Sequence, residues 1–152
     1  MYGTLWEGPQ MNKLRTLLVG LAIAGAAVVA VPTAAQADGG CGYTNFCAYS
    51  DDYNYLYQNA GNSGDWPYQV KNKVDWVRNS GSAGGRDHVN IYYNENNTGA
   101  YACIGYGTEW NLRGNAQTFN WTRNGDASGQ WKAVHDNAAS HRWVYGCGNG
   151  TW

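Results

Sequence analysis

The sequence carries little charge. Only 14% of its 152 residues are Asp, Glu, Lys or Arg, and the formal net charge is −1. A chain without a basic excess lacks the electrostatic field that attracts nucleic acid, so we expect no nucleic-acid partner. After Ala37, no segment has an apolar stripe of useful length at helical spacing. This absence argues against a helical fold for the rest of the chain.

Motifs typical of enzymes are also missing. The only histidines are His88, His135 and His141, and none belongs to a His-Glu-x-x-His sequence. The chain has no Gly-x-Ser-x-Gly elbow and no phosphate-binding Gly-Lys-Ser loop. Asp51 and Glu95 could supply a carboxylate pair, but they lie in predicted turns on a solvated surface. We therefore expect that the protein is not an enzyme.

A long apolar run lies near the start of the chain. Lys13 and Arg15 form a basic head, and residues 16–31 are apolar apart from Thr16 and glycine. The small-x-small sequence at 35–37 is typical of a cleavage site. This order of features predicts a secretory signal peptide over residues 11–37.

The domain boundaries follow from this signal. Residues 1–10 are predicted to be an upstream extension that is not translated, and residues 38–152 have the length of one domain. A membrane anchor is the alternative, but a span needs about 20 apolar residues, more than this run provides. We expect a secreted, extracellular monomer with no membrane contact after cleavage.

Four cysteines all lie in the predicted domain: Cys41, Cys47, Cys103 and Cys147. An even number in an exported chain predicts two disulfides. Sequence alone allows three pairings. A local bridge between Cys41 and Cys47 is geometrically easy, and it would leave Cys103 with Cys147. A metal site has little support, because no Cys-x-x-Cys sequence occurs.

The stretch from Val89 to Trp110 predicts a pair of strands. Val89, Ile91 and Tyr93 alternate with polar or aromatic residues, which is the period of a half-buried strand. Residues 94–99 are rich in Asn and Gly and predict a turn. A second strand follows over 100–104. Further strands are predicted at 46–49, 53–57, 74–78, 131–134 and 142–147.

Three sequence matches indicate an internal duplication. Tyr49 matches Tyr92, Asp65-Trp66 matches Glu109-Trp110, and residues 74–79 match residues 119–124, all at nearly constant spacing. Matches of this kind indicate that a four-strand unit occurs twice. Either residues 119–124 or the tail from residue 129 ends the second unit. The residues therefore predict an all-β domain with many turns, an aromatic core and two disulfides.

Several longer motifs resemble a known family. The sequence contains F-C-A-Y-S-D-D-Y-N, V-N-I-Y-Y-N-E-N-N-T-G-A-Y-A-C-I and D-N-A-A-S-H-R-W-V. These resemble the Streptomyces metalloproteinase inhibitor family, and the paired opening cysteines and signal peptide agree. That family resembles the βγ-crystallin fold, a sandwich of two Greek-key motifs. The resemblance implies an all-β, βγ-crystallin-like Greek-key sandwich built from two repeated motifs.

The resemblance also implies a function. Members present a rigid, substrate-like loop to a thermolysin-type protease, so the expected partner is an extracellular protease of that class. The family's reactive bond follows a cysteine and precedes an aliphatic residue, which here implies Cys103-Ile104. Ile104 would fill the apolar pocket of the protease. The family prototype has a second cysteine shortly after the bond, whereas this chain has Gly105-Tyr106-Gly107.

Calcium binding is an alternative function, in a βγ-crystallin-type structural protein. Many βγ-crystallin domains bind calcium through an acidic or amide pair followed by Ser or Thr. Asp136, Asn137 and Ser140 match that signature, whereas Lys71 stands in place of a ligand in the earlier copy. Calcium needs six to eight oxygen ligands, so one half-signature supplies too few without others. The simpler interpretation is that Asp136 and Asn137 cap a turn. No other cofactor is expected.

A third function is a glycan-binding or cell-wall-binding module, similar to antifungal proteins. Exposed aromatic rings can stack on sugar faces, and amides can bond hydroxyl groups. The candidates are Trp66, Tyr68, Tyr106 and Trp110, because the duplication places the two tryptophans in equivalent loops. Aromatic loops are also common in β-sandwiches that bind no glycan.

Overall fold

The computed structural model describes residues 40–51, 54–114 and 117–148. The predicted extension and signal peptide lie outside these residues, and the domain boundaries stay predictions. Within the described part of the chain, no helix is long and apolar enough to span a membrane. The strands are β1 (Phe46–Ser50), β2 (Tyr55–Asn59), β3 (Trp76–Asn79), β4 (His88–Tyr92), β5 (Tyr101–Ile104), β6 (Glu109–Asn111) and β7 (Ser140–Val144). A short 3₁₀ helix occupies Glu95–Asn97.

Two antiparallel sheets contain all seven strands. One sheet has the order β2-β1-β3-β6, and the other has the order β5-β4-β7. β1 and β4 lie inside their sheets, each flanked by the next strand and by the last strand of its own repeat. The duplication is therefore visible in the pairing, with Tyr49 opposite Trp76 and Tyr92 opposite Ser140.

Each repeat has four extended segments, and the third of them pairs with a strand of the other repeat. The third segments are the chain at Ser63 in the first repeat and β6 in the second. β6 belongs to the second repeat but lies beside β3 of the first. In return, Ser63 of the first repeat forms an isolated bridge with His141 on β7. This exchange is the Greek-key arrangement, in which the chain leaves one sheet and returns to another. The predicted all-β sandwich of two repeated Greek-key motifs is confirmed.

One of the three sequence matches was wrong. β7 takes the position of β3 in the second repeat, so the tail ends this repeat and residues 119–124 do not. Residues 117–126 form only isolated bridges, such as that between Tyr101 and Trp121. The similarity between 74–79 and 119–124 is local, and a local pattern does not reveal which strand a segment will pair with.

The predicted strand at 131–134 was also wrong. The chain turns there, with the Lys132 N–H donating to the Gly129 carbonyl at 3.0 Å. Trp131 has a left-handed backbone, with a φ of 67°, and its side chain is 67% exposed. A left-handed residue cannot continue a strand, because the backbone reverses.

Side chains alternate along each central strand, so that some point into the main core and others point to the outer side of the sheet. In β4, Val89 and Ile91 point into the main core, which also contains Phe46 and Trp66. On the outer side of β1, Tyr49 packs with the Cys41–Cys47 disulfide and Trp76. Both disulfides join the pairs that were easiest from sequence, Cys41 with Cys47 and Cys103 with Cys147. The disulfide-bonded scaffold therefore has an apolar interior with additional packing outside one sheet.

Candidate functional site

The exposed turn that joins β5 to β6 is the strongest candidate site. We call residues 105–108 the β5–β6 turn. Tyr106 lies in it with its side chain 47% exposed. Gly107 has a φ of 66°, a backbone conformation that glycine adopts without strain. The Thr108 N–H donates to the Gly105 carbonyl at 3.3 Å and closes the turn. The turn therefore presents one aromatic side chain on a closed backbone.

The predicted reactive bond lies just before this turn and inside β5. Ile104 is opposite Val89 in the sheet and is completely buried in the main core. Its side chain would have to leave the core to enter a protease pocket. Cys103 is half-buried and points to the other side of β5. The accessible residues are those of the turn, two and three positions further along, so the geometry opposes Ile104 as the residue that a protease reads.

A buried asparagine holds both ends of the turn. Asn79, the last residue of β3, is completely buried. Its backbone N–H donates to the Thr108 carbonyl at 2.9 Å, and its side-chain amide lies 3.4 Å from the Ile104 carbonyl. The same amide donates to the Asp87 carbonyl at 2.7 Å. Because Asn79 contacts the chain both before and after the turn, it fixes the distance between the two ends of the turn.

Covalent and ionic contacts add to this support. Cys103 is bonded to Cys147, which lies beyond β7 and far along the chain. On the other side of the turn, Glu109 of β6 pairs with Arg78 of β3 at 3.4 Å. Exposed ion pairs of this kind contribute at most about 1 kcal/mol. The disulfide and the Asn79 contacts are therefore the main constraints on the turn.

The predicted calcium ligands contact different partners. The Ser140 hydroxyl is buried, donates to the Asn94 carbonyl at 2.5 Å and accepts from the Asn97 N–H at 3.1 Å. The Asn137 amide donates to the His135 carbonyl at 2.9 Å. Asp136 is exposed and lies 3.6 Å from the ring of His135. The structure therefore gives these three side chains local roles and does not direct them to one common point.

The strand register corrects the alignment of the two calcium half-signatures. Trp76 and Ser140 hold equivalent positions opposite Tyr49 and Tyr92. Asn72, rather than Lys71, is therefore the counterpart of Asp136, and the two share left-handed φ values of 54° and 58°. This shared turn follows from the duplication.

An ammonium group already lies beside the acidic residues of this region. The side chain of Lys71 contacts Asp65 and Glu95, each at 2.7 Å. Hydrogen bonds from these two carboxylates raise the pKa of Lys71, so the group stays charged. A cation that bound to either carboxylate would compete with this internal charge.

A second polar cluster was not foreseen from the sequence. Asp75 is 4% exposed. It accepts from the Arg113 guanidinium at 2.7 and 3.0 Å and from His135 Nε2 at 2.9 Å. Burial alone would raise the pKa of Asp75, but the hydrogen bonds from Arg113 and His135 outweigh it, so the pKa lies below its ordinary value. No motif connects these residues, which are distant in sequence.

This cluster has some features of a metal site. Asp75, His135 and Asp136 offer ligand atoms within 4.8 Å of one another. Among the described residues, these three are the group of side chains close enough to coordinate one metal ion. The two-pronged contact from Arg113, however, already neutralises Asp75. A metal would have to displace this guanidinium, so we interpret the cluster as structural.

The predicted glycan-binding aromatics are divided between core and surface. Trp66 is 1% exposed, and its indole N–H donates to His141 Nδ1 at 2.8 Å. It cannot stack on a sugar, and the expectation of an exposed Trp66 was wrong. Trp110 is half-buried against the core. Tyr68 and Tyr106 are exposed, but the Lys73 ammonium already lies 3.5 Å from the centre of the Tyr68 ring.

Comparisons with known proteins show a similarity to a solved structure. No family model and no curated protein matches the chain. A solved structure described as "Evolution of the eye lens beta-gamma-crystallin domain fold" is similar, with a TM-score of 0.46 and 13% sequence identity. The match covers 71% of this chain and 93% of that chain. The assignment of the fold rests on the strand order described above.

Proposed function

We propose that the protein is a secreted inhibitor of a thermolysin-type metallopeptidase. The observation that carries the proposal is the β5–β6 turn, an exposed segment whose two ends are held by buried Asn79 and by the Cys103–Cys147 disulfide. A loop that is ordered before binding loses less conformational entropy in the complex. The resemblance to the metalloproteinase inhibitor family supports the same function.

Within this proposal, Tyr106 is the side chain that enters the apolar pocket of the protease. The Cys103-Ile104 bond was the first expectation, and the fully buried Ile104 makes it unsuitable in the folded domain. Tyr106 follows on the same segment and is exposed. The flanking glycines leave the backbone beside it open, so a protease can approach closely.

The expected result is inhibition of a thermolysin-like protease and no inhibition of subtilisin-like or trypsin-like proteases. The substitution Tyr106→Asp should weaken inhibition by about 10- to 100-fold, because it places a charge in an apolar pocket. Inhibition constants of the purified protein and the variant, measured with a peptide substrate, provide the test.

A matched control uses a different exposed tyrosine. Tyr68→Asp makes the same chemical change at a side chain that is 75% exposed and belongs to another loop, so it should leave inhibition unchanged. Equal inhibition by the Tyr106 variant and the unsubstituted protein would contradict the assignment of the turn. Ile104→Asp is unsuitable, because a buried charge would unfold the domain.

Calcium binding is a second candidate. The observation for it is the pair of equivalent left-handed turns at Asn72 and Asp136, and calcium would have to compete with Lys71 for the carboxylates near the first turn. Calcium bound to the native state should raise the melting temperature by a few degrees once its concentration is well above the dissociation constant. A melting temperature that is the same in millimolar calcium and in chelator would exclude this candidate.

A further inference from the structure

A recess lies at the junction of the two repeats, away from the β5–β6 turn. We call it the Trp143 cavity, and its volume is about 350 Å³. Three loops and one residue of β7 form its walls. The lining residues are Thr44, Ala60, Gly61, Asn62, Gly81, Ser82, Arg86 and Trp143. This volume lies at the lower end of the range for small-molecule sites.

Gly81 packs directly against the Trp143 ring because it has no side chain. A Cβ atom at this position would lie 2.6 Å from the Trp143 ring, which is too close for non-bonded carbon atoms. Gly81 thus lets the backbone of the connection between the repeats lie flat against the indole. The Asn62 side-chain carbonyl accepts from the backbone N–H of Trp143 at 2.8 Å. The backbone of Trp143 is therefore held by the loop that carries Asn62, and its ring packs against Gly81.

Among the described residues that line the cavity, only Arg86 carries a charge. Its guanidinium carbon lies 5.1 Å from the centre of the Tyr145 ring. Stacking on an aromatic face holds a guanidinium in place and leaves its in-plane N–H groups available. No carboxylate is among the described lining residues, and Arg86 has no ion pair within the same part of the chain. A positive wall without an acidic neighbour favours an anion.

The indole ring of Trp143 forms part of the cavity wall. The side chain is 8% exposed, yet its indole Nε1 has no hydrogen bond within the described chain. This nitrogen has almost no accessible surface, so the ring offers the cavity its carbon atoms rather than its N–H. Carboxylates accept several hydrogen bonds and pair with guanidinium in a fixed two-pronged geometry.

We propose that the Trp143 cavity binds a small carboxylate-bearing molecule. Arg86 pairs with the carboxylate, the indole ring of Trp143 packs against the ligand, and Ala60 and the glycines leave room for a compact body. Two sources share this chemistry, the C-terminal residue of a peptide and an acidic sugar. This site is separate from the proposed inhibitory turn, so either proposal can fail without the other.

Titration followed by NMR tests the proposal with matched probes. N-acetylalanine and N-acetylalanine amide have the same size but differ in charge, and glucuronate and glucose form an equivalent pair of sugars. The indole N–H resonance of Trp143, assigned with Trp143→Phe, should shift with at least one carboxylate and stay unchanged with both neutral probes. The pair that produces the shift identifies the source of the carboxylate.

A variant of the charged wall completes the test. Arg86→Gln should weaken carboxylate binding about tenfold or more, because a charge-assisted contact is lost. Arg78→Gln makes the same change on β3, outside the lining residues, and should have no effect. The proposal is overturned if neither carboxylate shifts the Trp143 resonance, if the neutral probes shift it equally, or if Arg86→Gln binds as tightly as the unsubstituted protein.

Discussion

Replacement of Cys103 and Cys147 by serine should lower the free energy of unfolding by about 4 kcal/mol. The bridge closes a loop with a sequence separation of 44, and a long loop restricts the unfolded chain strongly in the chain-entropy model. It also links the end of β5 to the segment that follows β7. Because a typical domain has a stability of about 5–15 kcal/mol, this loss is a large fraction of the total.

The second disulfide provides the matched control. Cys41 and Cys47 are separated by only 6 positions, so the corresponding double serine variant should lose about 2 kcal/mol. Urea unfolding of the parent and both variants, under the same oxidising conditions, gives the three free energies. A loss for the Cys41–Cys47 variant that equals or exceeds the loss for the Cys103–Cys147 variant would contradict this account.

Acidification from pH 6.5 to pH 4 should cost about 3 kcal/mol of stability through His141 alone. This ring is 0% exposed in the core. Its Nδ1 accepts from the Trp66 indole N–H at 2.8 Å, so its Nε2 carries the proton and donates to the Gly61 carbonyl at 2.9 Å. Burial lowers the pKa of His141 to about 4, although the bond to Gly61 opposes the shift.

The direction of the effect follows from proton binding in the two states. Above pH 6.5, His141 is neutral in both the folded and the unfolded chain, and the full stability is present. Between pH 6.5 and 4 the unfolded chain binds a proton that the folded chain does not, so stability falls. Below about pH 4 both states are protonated, and this group causes no further loss.

Two measurements separate His141 from the other titrating groups. The ring resonances of His141, followed by NMR, should titrate near pH 4 in the folded protein. In the variants His88→Gln and His135→Gln, the free energy of unfolding should still decrease between pH 6.5 and 4. A His141 pKa near 6.5 in the folded protein, or a flat stability over this interval, would contradict the assignment.

The alternation of apolar and polar residues was sufficient to predict most strands. Val89 and Ile91 point into the core as expected, and the Asn-rich segment after β4 contains the turn and a short 3₁₀ helix. These features depend on local sequence. The exchange of third segments between the repeats cannot be predicted from local sequence, because β6 and β3, which pair, are far apart in the chain.

Trp66 shows why exposure was harder to predict. It lies next to Asp65 and Pro67, in a loop rich in Gly and Asn that suggested a surface position. The structure buries it because His141, from the other repeat, accepts its indole N–H. A tryptophan that finds a distant partner for its N–H can lie in the core. No local pattern identifies that partner.

The candidate site was predicted only in part. The sequence identified Cys103 and the segment around it, since a cysteine followed by an aliphatic residue was the family feature. It did not reveal that Ile104 faces inward. Asn79 was also missed, because an isolated asparagine at the end of a strand has no distinctive signal. Its role depends on contacts with Ile104 of β5 and with Thr108 just before β6, which are distant in sequence.

The most direct test of the proposed inhibitor is hydrogen exchange measured on the complex with a thermolysin-like protease. If the β5–β6 turn is the segment that the protease reads, amide protection on complex formation should be strongest at residues 105–109. The loop that carries Tyr68 should exchange as it does in the free protein. A stable complex with protection elsewhere, or no complex at micromolar concentrations of both proteins, would contradict the account.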